Sequence, residues 1–352
     1  MKKTIVLALA LILMVGLVAA CGGNKNNNAG NTTNNGAAEG NNGGDKKDAK
    51  KIALVLPEKI GVNKFFVLMD EGFKKAGEEF GAEVKTIEST DPAGFEQNLR
   101  ATVAEDYDLI ITATFQAEDA LKKVATENPD KPFAIIDTVV DLPNVRSVNF
   151  REHEAAYLMG ALAGLSTKTN TVGAIVAMDA PLLGKYTSGF DQGLKSVNPD
   201  AQFLVNYVGS FADPAKAKEL ALLQFDKGAD YIAGMAAVGD NGVFEAAKEK
   251  GFFTSGQDTD RTDEDPAHVV LSQLKGTDAV AYETVKAFVE GTFAYGAADY
   301  GLKEGGVGLT YVTKETATPL NSFISQENVD KVKAIAEDII SGKIVVENPL
   351  TK

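Results

Sequence analysis

Between two short apolar runs lies SGQDTDRTDEDPAHV, residues 255–269, which places Asp258, Asp260, Asp263, Glu264 and Asp265 within eight positions. Clustered carboxylates can ligate a hard cation or accept hydrogen bonds from hydroxyl and N–H groups. The D-x-D-x-x-D spacing imitates the start of a calcium loop. Counted from Asp258, however, Asp263 stands where the sharp turn needs glycine and Val269 where a bidentate glutamate belongs. FFTSG before and VVLS after read as strands, not as the flanking helices of such a loop. A strand-to-strand loop is therefore expected, with Asp258 gripping a polar ligand, Asp260 behind it, and Asp263, Glu264 and Asp265 in a solvated turn.

Other residues with chemical capacity occupy comparable places. Asp137 closes FAIID, a buried-looking strand where a carboxylate without partners would be costly. Phe211 in YVGSFAD falls between a strand and a helix, where a core residue is less expected than a ligand contact. Phe66 continues the apolar stripe of a helix, so packing explains it as well as stacking does. Lys275 comes after VVLSQL and reads equally as a cleft donor or a surface lysine. Catalysis finds little support: the chain has no G-x-S-x-G elbow, no G-x-x-x-x-G-K-[ST] loop and no nucleophile paired with a histidine base. GFDQG at 189–193 resembles a phosphate loop only superficially, since its helix begins near Lys185. A glycosidic-bond hydrolase built on paired carboxylates is the enzyme alternative.

Hydrophobic periodicity identifies the elements that position these residues. KIALVLP, AEVKTIES, YDLIITAT, KPFAIID and VRSVNF read as strands alternating with helical segments, and Phe66, Met69, Phe73 and Ala76 form one amphipathic stripe. After Glu152 the alternation repeats through TVGAIVAM, AQFLVNYVG, DYIAGMA, FFTSG and VVLS. Such alternation builds a parallel sheet with helices on both faces, so two α/β, doubly wound parallel-sheet lobes joined by hinge strands are expected. The expected boundaries are 49–151 with 276–310 for the N-terminal lobe and 152–275 with 311–352 for the C-terminal lobe. Ligands of open parallel sheets sit beyond the carboxyl ends of the strands. Those ends carry Asn63, Phe66, Phe115, Asp137, Phe211, Gly239, Asp258 and Lys275, a cleft lining of aromatic faces, carboxylates, glycine and one lysine. Aromatic rings suit a planar base and carboxylates suit hydroxyls, and a nucleoside has both halves.

The chain ends supply context. MKKTIVLALALILMVGLVAAC has the layout of a secretory signal over residues 1–20, and VAAC resembles a bacterial lipobox in which Cys21, the single cysteine, is acylated, with palmitate among its chains. Residues 21–48 are rich in asparagine and glycine and cannot bury apolar surface, so they read as a disordered tether. A net charge of −14, more negative once Lys2 and Lys3 are removed, argues against nucleic acid as a partner. Two histidines and one cysteine argue against a transition-metal site, and no cofactor is expected.

The motifs NKFF, FAIID, NVRSVNFREHEAAYLMGALAGLSTKTNTVGAIVAMDAPLLGKYTSGFDQG, VNPDAQFLVNYVGSFADPAKAKELA, FEAAKEKG, GQDTD and GLKEGGVGL together resemble the basic membrane protein family of bacterial surface lipoproteins, which includes purine nucleoside receptors. The resemblance covers about Lys51 to Leu309. It implies a type I periplasmic-binding-protein fold and a non-enzymatic solute receptor, expected to be a monomer, on the outer surface of the cell membrane, serving an ABC permease and its ATPase subunits. It further implies that Phe66 and Phe211 cover the two faces of a base, that Asp137 contacts the nucleobase region, that Asp258 and Lys275 reach the sugar, and that Gly239 lies in a glycine turn. Asn63, Phe65 and Val67 depart from the family's D-K-S-F-N element, and Gln257 and Arg261 from the residues around its ribose aspartate. A receptor for a sugar or other small polar ligand is the alternative, with a surface adhesin as a further one.

Overall fold

A computed structural model describes residues 49–351; the signal-like segment, Cys21 and the tether lie outside the described residues. The N-terminal part runs β1 (Lys51–Leu56), α1 (Lys64–Phe80), β2 (Glu83–Glu88), α2 (Pro92–Ala104), β3 (Leu109–Ala113), α3 (Glu118–Glu127), β4 (Phe133–Ile136) and β5 (Val145–Phe150). The chain then passes to α4 (Glu152–Ser166), β6 (Thr171–Val176), α5 (Pro181–Val197), β7 (Gln202–Tyr207), α6 (Pro214–Asp226), β8 (Tyr231–Met235), α7 (Asp240–Lys250), β9 (Phe253–Asp258) and β10 (Val269–Lys275). It returns through α8 (Thr277–Glu290) and β11 (Gly296–Tyr300), then crosses again to β12 (Val307–Leu309) and α9 (Gln326–Ile340).

Two six-stranded sheets result, ordered β11-β5-β4-β3-β1-β2 and β12-β10-β9-β8-β6-β7. Every pairing is parallel except that of β12 with β10. The first five strands of each sheet are wound identically, so the doubly wound repeat expected from the alternation is present in both lobes. One boundary moves. Val307–Leu309, expected with the N-terminal lobe up to residue 310, pairs with Gln273–Lys275 in the second sheet. Three residues of GGVGL are too short a strand to show which sheet they join.

Local chemistry explains the element ends. Asn63 caps α1 by accepting from the Phe65 amide, and Gly81 ends the helix in the left-handed region at φ 67°. Asp91 caps α2, with Pro92 at its first turn. Residues Ile52–Leu56, Leu109–Ala113 and Thr171–Val176 are buried on both faces, as strands covered by helices on two sides must be.

Helix α4 is buried nearly all round, and its fit depends on glycine. A Cβ on Gly193 would stand 1.9 Å from the Tyr157 carbonyl oxygen, and one on Gly160 would stand 2.0 Å from that of Phe190. Backbone therefore meets backbone along the α4–α5 seam. This close approach accounts for the glycines of GFDQG, in a helix that starts at Pro181, earlier than expected.

Candidate functional site

The carboxyl ends of both sheets face one another across a cavity of about 620 Å3 of atom-free space, open solvent at its mouth included. Asn63, Phe66, Phe115, Asp137, Phe211, Asp258 and Lys275 all line it. Phe115 from the first lobe and Phe211 from the second approach with ring centroids 6.4 Å apart. Phe66 belongs to the core as well as to the wall, which reconciles its two readings.

Gly239 is the exception among the expected residues. It lies behind the wall, where its amide donates to the carbonyls of Ala236 at 2.9 Å and Phe211 at 3.2 Å. It supports the loop that carries Phe211 and does not itself reach the cavity. The neighbouring Asp240 is wholly buried and accepts from the Ala236 amide at 2.8 Å, fixing the same turn.

Backbone strain concentrates here. Thr114, Asp137, Ala237 and Asp258 all have positive φ, at 72°, 76°, 54° and 68°, and all four line the cavity. They stand at matching points of the two lobes: Thr114 and Ala237 come after β3 and β8, and Asp137 and Asp258 mark the ends of β4 and β9. Thr114, at ψ 159°, occupies a region that is otherwise almost restricted to glycine. Strained backbone at strand ends turns side chains out of the sheet and into the space between the lobes.

The charged residues form a buried cluster. Lys275 Nζ lies 2.7 Å from Asp137 Oδ1 and 2.9 Å from Glu152 Oε1. Lys185 Nζ lies 2.5 Å from Glu152 Oε2 and donates to the Phe150 carbonyl at 2.9 Å. The rings of Phe65, Phe150 and Tyr186 surround the Lys275 ammonium at 5.3–5.4 Å from centroid to Nζ. Lys275 is thus neither a surface lysine nor a free donor; two acids and three rings hold it in place.

The ionisation states reflect this arrangement. Burial alone would depress the Lys275 ammonium, but Asp137 and Glu152 hold it well above its ordinary value. Burial would raise Glu152, yet Lys275 and Lys185 pull it down to about 2. Burial pushes the Asp137 carboxyl up, with Lys275 opposing and Glu152 adding to the rise.

Asp258 differs from Asp137: its carboxylate accepts no hydrogen bond from the side chain or backbone of any described residue. Burial raises it, and the more distant charges of Lys275 and Arg261 only partly offset this. Arg261 is committed elsewhere, clasped by Glu264 at 2.9 and 2.8 Å, bonded to Asn241 at 2.6 Å and stacked 4.4 Å over Phe244. The turn faces solvent as expected: Asp263 and Glu264 are exposed, Glu264 while paired with Arg261, and the half-buried Asp265 lies 2.9 Å from His268. Asp260 accepts from the Thr262 amide and hydroxyl.

Sequence reasoning misses Glu58 and Tyr186 in the wall and Glu152 behind it, whereas Phe65 and Gln257, named for their departure from the family's pattern, also line the wall. Glu152 at the start of a helix looks like an ordinary favourable charge at a helix N-terminus. Only the crossing of the chain between lobes shows that it is fully buried.

A family model described as ABC transporter substrate-binding protein PnrA-like matches residues 49–348. A CD4+ T-cell-stimulating antigen of Listeria monocytogenes is 31% identical over 299 residues, covering 78% of this chain and 82% of the Listeria protein. The ABC transporter nucleoside-binding protein BmpA of Lactococcus lactis subsp. cremoris is 30% identical over 301 residues, covering 78% of this chain and 82% of its own. Among solved structures, an ABC transporter solute-binding protein from Aeropyrum pernix K1 superposes with a TM-score of 0.76 at 28% identity, over 85% of this chain and 94% of that one.

Two outcomes test the site's energetics. Thr114→Gly relieves a strain of about 1–3 kcal/mol at an entropic cost of about 0.5–1 kcal/mol, so its urea midpoint should rise; an unchanged or lower midpoint would contradict the strain. Glu152→Gln leaves Lys275 and Lys185 short of a counter-charge and should cost about 3 kcal/mol at pH 7. Because the Glu152 value is depressed from 4.5 to about 2, its stabilisation is complete above 4.5 and disappears as pH falls toward 2. The gap between wild type and variant in urea unfolding should therefore narrow over that range, and a constant gap would count against the pairing.

Proposed function

The chain belongs to the PnrA-like ABC transporter substrate-binding family, and on that premise we propose that it binds a nucleoside, purine nucleosides above others, between its lobes and delivers it to a membrane permease. The observation that carries this reading is the pairing of aromatic faces from opposite lobes, Phe115 and Phe211 with Phe66 nearby, with an unpartnered carboxylate at Asp258 in the same cavity. A planar base stacks on rings, and ribose hydroxyls supply the donors that a partly buried Asp258 lacks. Lys275 is already neutralised by Asp137 and Glu152 and so puts no uncompensated positive charge into the cavity, which suits an uncharged ligand better than an anionic one. The Lactococcus relative, named for nucleoside binding, supports the same reading.

The cavity offers the groups a receptor uses: aromatic faces, carboxylates and an amide donor. Closure of the lobes would bury the ligand, and the closed form would be what the permease recognises. Acylation of Cys21, with residues 22–48 as a tether, would keep the receptor beside that permease on the outer face of the membrane.

Calorimetric titration of the purified protein with nucleosides and with pyranose sugars tests the ligand. Nucleoside binding is expected, and Asp258→Ala should weaken it about 10- to 100-fold, the value of a hydrogen-bonded charged group. Undiminished binding by that variant would remove Asp258 from the ligand's grip, and pyranose binding with none for nucleosides would replace this reading with a sugar receptor. The anchor has its own check: intact-mass analysis of protein from membranes should show an acylated N-terminal cysteine at position 21, and an unmodified Cys21 would refute it.

A further inference from the structure

Glu58 sits in the turn after β1, partly buried in the cavity wall next to Asn63. The Asn63 side chain cannot choose which end it presents. Its Oδ1 accepts from the Phe65 amide at 3.2 Å as the cap of α1, so its Nδ2 faces Glu58 and lies 3.3 Å from Oε1. An amide nitrogen carries two hydrogens, and one remains to donate. Glu58 Oε1 keeps a free lone pair, and Oε2 accepts from no described residue. Burial raises the Glu58 carboxyl, with Asn63 only partly opposing. The group is short of donors in a cavity whose next residues, Phe65 and Phe66, are aromatic.

In order, this wall presents a donor, an acceptor and a second acceptor. Its complement is an edge with acceptor, donor and donor. Among nucleobases a 2-amino-6-oxopurine has that edge, in its O6, N1–H and exocyclic amine. A 6-aminopurine offers a donor and an acceptor and then a C–H; a 6-oxopurine without the amine lacks the last donor; and the pyrimidines place a carbonyl oxygen where the second acceptor stands. A site built to hydrogen-bond a given group rejects the analogue lacking it far more strongly than an apolar pocket can, because its own buried polar atoms are then left unpaired.

We propose that Glu58 is the specificity-determining residue of this cavity and that its preferred ligand is a nucleoside bearing the guanine-type edge, held by Asn63 and Glu58 together. The proposal rests on the nucleoside reading of the site and goes beyond it by naming the base and the residue that selects it.

Titration of the purified wild-type protein with guanosine, inosine and adenosine, repeated with Glu58→Gln and Glu58→Ala, provides the test. Guanosine should bind at least about 10-fold tighter than adenosine, with inosine between them. Glu58→Gln exchanges an acceptor for an amide that opposes the ligand's donors, and should bring guanosine to within about 3-fold of adenosine. Glu58→Ala should collapse the ratio in the same way, so one misfolded variant still leaves a result. Equal affinities in the wild type, or a guanosine preference that survives in a folded Glu58 variant, would overturn the proposal while leaving nucleoside binding intact. Absence of binding to all three nucleosides would instead remove the reading on which it rests.

Discussion

An ammonium group buried between two lobes must be neutralised from both, and the placement of Lys275 imposes that condition on the whole molecule. It ends β10 in the second sheet, its partner Asp137 directly follows β4 in the first, and Glu152 opens α4 where the chain first crosses between them. Removing any one member leaves a charge in surroundings that cannot solvate it. Glu152 is shared with Lys185, which in turn holds the Phe150 carbonyl at the last residue of β5. Two acids and two bases thus cancel, and the cluster fixes the relative position of strand ends that come from different sheets. The aromatic cage around Lys275 gives the ammonium favourable contact on the sides where no carboxylate reaches.

The repeat within the chain gives this arrangement its asymmetry. Asp137 and Asp258 occupy equivalent places in the two lobes and share a positive φ. One is matched by Lys275 and belongs to the scaffold; the other has no partner of its own and faces the cavity. A duplicated fold presents two similar acids to one space, and the single lysine decides which becomes structural and which stays available. Aspartate tolerates positive φ better than most residues, so both positions also suit their backbone.

Much of this is legible in the sequence. Alternating periods mark every central strand, and the residues at or just past the strand ends include seven that line the cavity, among them Asp137, Phe211 and Asp258. The failures have physical causes. β12 is three residues long, and so short a run cannot report which sheet it joins. Glu58 and Tyr186 belong to segments whose local pattern serves a turn and a helix equally well in any setting. Gly239 invites reading as a contact because glycine permits close approach, whereas here its amide is what matters. Glu152 and Lys185 look like solvent-facing charges in one dimension, and only tertiary structure shows them to be wholly enclosed.

The three passages of chain between the lobes are stitched to one another. The Arg151 amide donates to the Tyr300 carbonyl at 3.0 Å, Gly276 to Gly306 at 2.9 Å, and the Leu302 amide to Glu154 at 2.8 Å. Bound side by side, they behave as a ribbon and not as three independent threads. Displacing any one passage alone would break those hydrogen bonds, so whatever shifts one sheet against the other must carry all three passages together.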